Sequence, residues 1–133
     1  MDDSDTNSNL IASLLKPQAY PNLTTNIKLI ETHISWIILT GEFAYKIKKP
    51  VNFGFVDFST LEKRKFYCNK ELELNQKLSK DLYIKVVGIA GSVDSPILES
   101  VTENDTKQDN TNKNQTNNNV IEYTLQMQQF EQE

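Results

Sequence analysis

The sequence is poor in the residue types that build disulfides, metal centres and flexible loops. Its 133 residues include one cysteine, one histidine, four glycines and four prolines. A single cysteine cannot form an internal disulfide, and no cluster of cysteine and histidine has the spacing of a zinc site. We therefore expect neither a disulfide nor a metal site. Cys68 falls within a predicted helix, where a buried, inert thiol is the expected state.

The sequence also lacks long hydrophobic runs and an excess of positive charge. Its longest uncharged apolar run, residues 34–41, is too short to cross a bilayer, and its acidic start lacks the basic region and apolar core of a signal peptide. The formal net charge of -4 gives no support to nucleic-acid binding. We therefore expect a cytoplasmic protein that binds neither membranes nor nucleic acids.

The pattern of β-branched, aromatic and turn residues predicts an α+β fold. Five segments have the composition of strands: residues 26–31, 35–40, 42–48, 81–89 and 123–130. A short helix is predicted over residues 10–15, before a proline. A long helix is predicted over residues 59–79, between the third and fourth strands, because Ser59-Thr60-Leu61-Glu62 has the spacing of a capping box and no glycine or proline follows. We therefore expect about five antiparallel strands, one long helix and one short N-terminal helix.

Two polar stretches are predicted to be disordered. Residues 1–9 form a polar tail, and residues 102–119 contain no apolar residue. The second stretch cannot offset its ordering entropy by burial. We therefore expect one domain over residues 10–133, with a disordered low-complexity insertion at about residues 100–119 in the hairpin that joins the fourth and fifth strands.

The third predicted strand carries a lysine beside a small residue, in the run Phe43-Ala44-Tyr45-Lys46. Side chains alternate across a strand, so Ala44, Lys46 and Lys48 share the face opposite Phe43, Tyr45 and Ile47. Ala44 leaves room for a flat ligand such as an adenine ring, and Lys46 lies near where the phosphates would sit. This spacing reproduces the V-A-I-K element of protein kinases.

A glutamate on the long helix is the expected partner of this lysine. Glu71 interrupts an apolar stripe formed by Tyr67, Leu74 and Leu78. A carboxylate removed from water requires a cation, and Lys46 is the best-placed candidate, with Lys48 as the second. Alternatively, Glu71 lies at the edge of the stripe and reaches solvent. A strand lysine facing a helix glutamate is the arrangement that positions the nucleotide in kinase N-lobes.

Several unusual sequence motifs occur in order, in residues 31–36 (ETHISW), 45–64 (YKIKKPVNFGFVDFSTLEKR), 68–75 (CNKELELN) and 81–83 (DLY). Through these motifs the chain resembles, over about residues 10–130, the N-terminal part of proteins in a bacterial aminoglycoside-phosphotransferase-like family. Full-length members are kinase-fold proteins, often fused to a C-terminal P-loop ATPase domain. The resemblance implies a protein-kinase-like N-lobe in which Lys46 anchors the phosphates of ATP and Glu71 is its helix partner.

The resemblance further implies ATP with Mg²⁺ as the cofactor of the intact family. Ala44, and the hydroxyls of Thr32 and Ser35 in the glycine-free turn between the first two strands, are the other candidate nucleotide contacts. A kinase also needs a catalytic aspartate with a neighbouring asparagine and a second aspartate for Mg²⁺, all from the C-lobe. We find no catalytic or metal-binding candidate in this chain and expect the C-lobe to be absent. We therefore expect at most weak ATP contact and no phosphate transfer by this chain alone.

Two other functions remain open from the sequence. The chain can be a non-catalytic interaction module that docks through residues 53–58, because this connection carries more aromatic and aliphatic side chains than a solvated loop usually does. It can also be one half of a split phosphotransferase, whose C-terminal kinase lobe or P-loop ATPase domain is supplied in trans. An uncovered lobe face would also favour self-association.

Overall fold

The computed structural model describes residues 3–78, 81–100 and 120–129. Two helices, one short 3-10 helix and six strands form within these ranges. In chain order they are α1 (Asp3–Leu14), the 3-10 helix (Pro17–Ala19), β1 (Lys28–Glu31), β2 (Ser35–Leu39), β3 (Phe43–Lys48), α2 (Leu61–Gln76), β4 (Tyr83–Gly91), β5 (Pro96–Ser100) and β6 (Glu122–Gln128). The fold class is α+β.

The six strands form a single antiparallel sheet in the order β1-β2-β3-β6-β4-β5. The last of these six strands in chain order, β6, therefore lies in the interior of the sheet. Its Leu125 pairs with Lys46 of β3 on one side and with Val86 of β4 on the other. This topology brings the far end of the described chain next to the strand that carries the candidate lysine.

The sheet is covered on both faces, and the larger apolar cluster lies on the face of α1. Its buried members are Leu10, Ile11, Leu14, Ala19, Tyr20, Ile38, Tyr45, Ile47, Val87, Ile89 and Leu98. On the opposite face, Cys68 and Leu72 of α2 pack against Val86 and Leu125. The α1 face therefore supplies most of the apolar burial that stabilises the sheet.

The strand count corrects the sequence prediction, which gave about five strands instead of six. The additional strand is β5, which pairs with β4 through Leu98 opposite Ile89. Its first residue is Pro96, which has no N–H to donate and marks a segment as a poor strand. At the sheet edge, where β5 lies, a proline at the first position is tolerated because no second neighbour requires that donor.

The position of both helices also differs from the prediction. α1 begins at Asp3, within the residues predicted to be a polar tail, because Leu10, Ile11 and Leu14 anchor its second half in the core and each further turn then forms at little cost. The N-cap of α2 is Thr60 and not Ser59, since the Thr60 hydroxyl accepts from the Lys63 N–H at 3.1 Å. α2 ends at Gln76.

The buried face of α2 is not the predicted apolar stripe. Tyr67 and Leu74 are exposed, whereas Arg64 and Cys68 are buried. The sheet beneath α2 carries Glu122 of β6 as well as lysines of β3, so the helix turns its charged residues Arg64 and Glu71 inward and leaves part of its apolar surface outside. The prediction of the buried face was wrong because it used only the spacing of apolar residues in the helix. The surface that α2 packs against is charged, and this surface determines which helix face is buried.

Two further predictions concern residues that lie wholly or partly outside the described ranges. The low-complexity insertion lies outside them, except for Ser100 at the end of β5. β6 ends at Gln128, and the predicted end of that strand, Phe130, is also outside the described ranges.

Among the helices within the described residues, none has the length and apolar character needed to cross a membrane.

Candidate functional site

A cluster of three charged side chains joins β3 to α2. The Nζ of Lys46 donates to Oε2 of Glu71 at 2.9 Å, and the Nζ of Lys48 donates to Oε1 of the same carboxylate at 2.7 Å. The contact predicted between Lys46 and Glu71 is therefore present, and Lys48 binds Glu71 in addition. We call these three residues the β3–α2 ion cluster.

The two lysines of the ion cluster differ in their exposure to solvent. The side chain of Lys48 is 7% exposed, compared with 18% for Glu71 and 25% for Lys46. The Lys48 Nζ also lies 4.9 Å from the centre of the buried Phe58 ring, within the range of a cation–π contact. Lys48 is thus the inner cation of the cluster, and Lys46 is the outer cation.

The lysines keep the Glu71 carboxylate ionised although it is removed from most solvent. Burial raises the pKa of Glu71, but the hydrogen bonds and positive charges of Lys48 and Lys46 together outweigh burial, and the pKa of Glu71 falls below its ordinary value. Two ammonium groups and one carboxylate leave the cluster with one net positive charge. Such a cluster can attract an anion to its more exposed side.

The other candidate contacts from the sequence lie on β3 and at the β1–β2 turn. Ala44 is buried, lies opposite Leu39 of β2 and Met127 of β6, and shares its strand face with Lys46. Ser35 lies opposite Lys48 in the β2–β3 register. The turn that contains Ser35 therefore lies at the same end of β3 as the inner lysine.

The hydroxyls of this turn are engaged in holding the turn itself. The Thr32 Oγ1 accepts from the N–H of Ser35 at 3.0 Å and from the N–H of Ile34 at 3.2 Å, and it lies 3.0 Å from the Ser35 Oγ. Ser35 is buried. Thr32 and Ser35 therefore lie near the lysine strand, but their hydroxyls are engaged in hydrogen bonds within the turn, and a phosphate contact would require the turn to rearrange.

A second, more deeply buried ion pair fixes α2 to the centre of the sheet. The Nε of Arg64 donates to both carboxylate oxygens of Glu122, at 3.0 and 3.1 Å, and its Nη1 donates to the carbonyl oxygen of Phe58 at 2.8 Å. Burial raises the pKa of Glu122, and the charge and hydrogen bond of Arg64 oppose that rise. This pair sets the position of α2 and, through it, that of Glu71.

Sequence reasoning missed the Arg64–Glu122 pair. Arg64, Cys68 and Glu71 lie at i, i+4 and i+7 and therefore share one helix face, a signal that could have identified this polar face as the buried one. Nothing local singled out Glu122, which follows closely after the polar stretch at residues 102–119. Cys68 between the two ion pairs is fully buried as expected, and burial raises the pKa of its thiol to about 12, which leaves it unreactive.

The residues that line one cavity in the described part of the chain lie on the other side of the sheet from the ion cluster. That cavity has a volume of about 290 Å³ and is lined by residues of the α1 face, among them Tyr45, Val87 and Leu98. Within the described ranges, no three side chains of the His, Cys, Asp and Glu types converge as a metal-binding group.

The Arg64–Glu122 pair can be tested by comparing a single and a double substitution. Arg64→Met should lower the free energy of unfolding by about 3–5 kcal/mol, because it leaves the Glu122 carboxylate buried without its cation. Arg64→Met combined with Glu122→Leu should cost less than Arg64→Met alone, since both charges are then removed. Urea denaturation measures both values, and a double variant that is less stable than the single variant would contradict the assignment.

The ion cluster predicts a specific pH dependence of stability. Because the pKa of Glu71 is lower in the folded state, its contribution is fully present above pH 4.5, the ordinary value, and is lost as the pH falls through the folded pKa. Glu71→Gln should therefore reduce the free energy of unfolding by about 3–5 kcal/mol at neutral pH, because it leaves the buried Lys48 ammonium without its counter-charge, and by less in acid.

The matched control for this pH dependence is Glu73→Gln. Glu73 is an exposed neighbour on α2 that lies 3.8 Å from Lys70, and its replacement should change stability little at either pH. Urea denaturation at neutral and acidic pH measures both differences. A Glu71→Gln effect that grows on acidification would show that the carboxylate is not held ionised by the lysines.

The matched segment of this chain corresponds to a small part of each of the longer proteins named below. No protein-family model matches the sequence, and no solved structure matches it. An uncharacterized protein of Mycobacterium tuberculosis and one of Mycobacterium bovis are each 39% identical over 64 residues, which make up 48% of this chain and 13% of the relative. The matched part of the chain therefore spans about 13% of the length of these relatives.

Proposed function

We propose that this chain is the N-terminal lobe of an aminoglycoside-phosphotransferase-like kinase and that it contributes a phosphate contact to ATP without transferring phosphate alone. The observation that carries the proposal is the ion pair between Lys46 of β3 and Glu71 of α2. A lysine on a strand, held by a glutamate on the helix that packs over that strand, is how kinase N-lobes position the nucleotide phosphates.

The charges and exposures of the ion cluster support this role. Lys46 is the outer cation, so its ammonium can contact a phosphate oxygen while Glu71 limits the directions in which the side chain can point. A lysine ammonium suits this task because it carries three donors around a compact charge. Ala44 supplies a small side chain on the same strand face. In this proposal, Lys46 binds, Glu71 orients and Ala44 provides space.

The residues of this chain do not fit the remaining requirements of the kinase reaction. Phosphoryl transfer needs an aspartate that accepts the proton of the acceptor, and carboxylate and amide groups that hold Mg²⁺. The one histidine, His33, is followed by isoleucine and serine, so the chain has no His-x-Asp catalytic loop. We propose that these groups belong to a C-terminal kinase lobe or a P-loop ATPase domain, in the same polypeptide or in trans. The greater length of the mycobacterial relatives supports a further domain.

The phosphate contact can be tested with a fluorescent ATP analogue. The chain should bind it weakly, and Lys46→Met should weaken binding at least about tenfold, because the outer cation of the cluster is lost. Lys70→Met is the control with the same charge change, since Lys70 is on the outer surface of α2. Incubation with Mg²⁺ and radiolabelled ATP should phosphorylate neither aminoglycosides nor the chain. Phosphate transfer that survives Lys46→Met would contradict the kinase proposal.

A second function, a non-catalytic interaction module, is favoured by the connection between β3 and α2. Phe55 is 88% exposed and Phe53 about half exposed. The connection is nevertheless held in an ordered turn, because the Phe53 N–H donates to the Val56 carbonyl and the Phe58 N–H donates to the Val51 carbonyl, both at 2.7 Å. An ordered turn that presents aromatic side chains to solvent is typical of a docking surface.

Sedimentation separates the two functions. An interaction module that docks through this turn should self-associate or bind a partner lobe through Phe55, and Phe55→Ser should abolish that association while leaving the fold intact. Leu23→Ser, at a side chain that is also almost fully exposed, is the control for lost apolar surface. Association that depends on Phe55, together with no binding of the ATP analogue, would favour the interaction module. Nucleotide binding that is unaffected by Phe55→Ser would favour the kinase lobe.

A further inference from the structure

The ion cluster contains one more lysine than a simple strand–helix ion pair requires. Each oxygen of the Glu71 carboxylate accepts from a different lysine, Oε2 from Lys46 and Oε1 from Lys48. The two lysines are two residues apart on β3 and therefore reach Glu71 from the same strand face.

The surroundings of Lys48 confine it to the interior of the cluster. Its side chain is 7% exposed, its Nζ lies 2.7 Å from Glu71, and the Phe58 ring covers it from 4.9 Å. A buried ammonium that left Glu71 would lose its counter-charge at a large cost. Lys48 is therefore committed to Glu71, whereas the more exposed Lys46 can exchange part of its contact with Glu71 for another anion.

We propose that Lys48 is a positioning residue of the phosphate site: it neutralises Glu71 from the inside, so that the Lys46 ammonium is available to a polyphosphate. This inference rests on the proposed phosphate contact of Lys46 and extends it to the residue that makes the contact effective. Without Lys48, the carboxylate would hold Lys46 as its sole cluster partner, and the cluster would carry no net charge.

The same geometry argues that Lys48 does not bind the phosphate itself. To bind Lys48, a phosphate oxygen would have to reach an ammonium that is enclosed by Glu71 and Phe58. The Lys46 ammonium of the same cluster is more exposed and therefore easier to reach. Desolvating a phosphate at the inner position would also be costly. The two lysines therefore have different roles although they share a carboxylate and a strand.

A set of variants of the full 133-residue chain tests the proposal, with inorganic tripolyphosphate as the probe and calorimetric titration as the measurement. Lys46→Met and Lys48→Met should each weaken binding about tenfold or more, the first because it removes the contacting ammonium and the second because Lys46 is then the sole cluster partner of Glu71. Lys70→Met, with the same charge change on the outer surface of α2, should bind like the unsubstituted chain.

Two double variants separate position from net charge. Lys48→Met with Glu71→Gln removes both the inner cation and the carboxylate that it neutralises, so Lys46 is free and binding should recover to within about threefold of the unsubstituted chain. Lys46→Met with Glu71→Gln leaves the cluster with the same net charge but only the enclosed lysine, so binding should stay weak. Circular dichroism establishes that each variant is folded, and should Lys48→Met unfold, the two double variants decide the question.

The outcomes distinguish failure of the inference from failure of the proposed function. No tripolyphosphate binding by the unsubstituted chain, or unchanged binding by Lys46→Met, would overturn the phosphate contact of Lys46 and the inference with it. Lost binding in Lys46→Met with unchanged binding in Lys48→Met would overturn the inference alone. Equal recovery in both double variants would show that net charge decides binding, and would also overturn the positioning role of Lys48.

Discussion

The requirement that every buried charge have a partner determines how α2 lies on the sheet. Arg64 meets Glu122 of β6, and Glu71 meets two lysines of β3, so the helix is held at two points along one face. Phe58 connects the two, because its carbonyl accepts from Arg64 and its ring covers Lys48. Any rotation of α2 about its axis would separate at least one buried charge from its partner, which is more costly than exposing an apolar side chain.

The two faces of the sheet consequently stabilise the structure in different ways, one by apolar packing and the other mainly by ion pairs. The α1 face is apolar, and its packing is non-directional, so it stabilises the fold without demanding exact placement of any polar atom. The α2 face has a small apolar cluster and two sets of ion pairs, whose energies depend on short distances. A site that must hold a lysine ammonium in a defined position benefits from the second kind of face, and stability can be left to the first.

Some features of the site followed from local sequence patterns. Alternation along β3 identified Lys46 and Lys48 as side chains of one face, and the interruption of the stripe by Glu71 identified a carboxylate in need of a cation. The orientation of α2 was predicted less well, because the apolar period of Tyr67, Leu74 and Leu78 describes the helix alone and ignores the charge of the surface opposite. The predicted contact of Lys46 with Glu71 is nevertheless present, because Glu71 lies between the predicted apolar stripe and the face of α2 that is buried.

The sequence by itself determined the α+β class, the presence of a long helix between the third and fourth strands, and the alternation that puts the lysines on one face. These are properties of short segments, and periodicity within a segment reports them directly. Only the tertiary structure decided that β6 lies between β3 and β4, that an edge strand begins at Pro96, and that Arg64 pairs with Glu122 across 58 positions of sequence. Pairings over such separations depend on the global arrangement of strands and on which charges become buried together, and no local pattern encodes either.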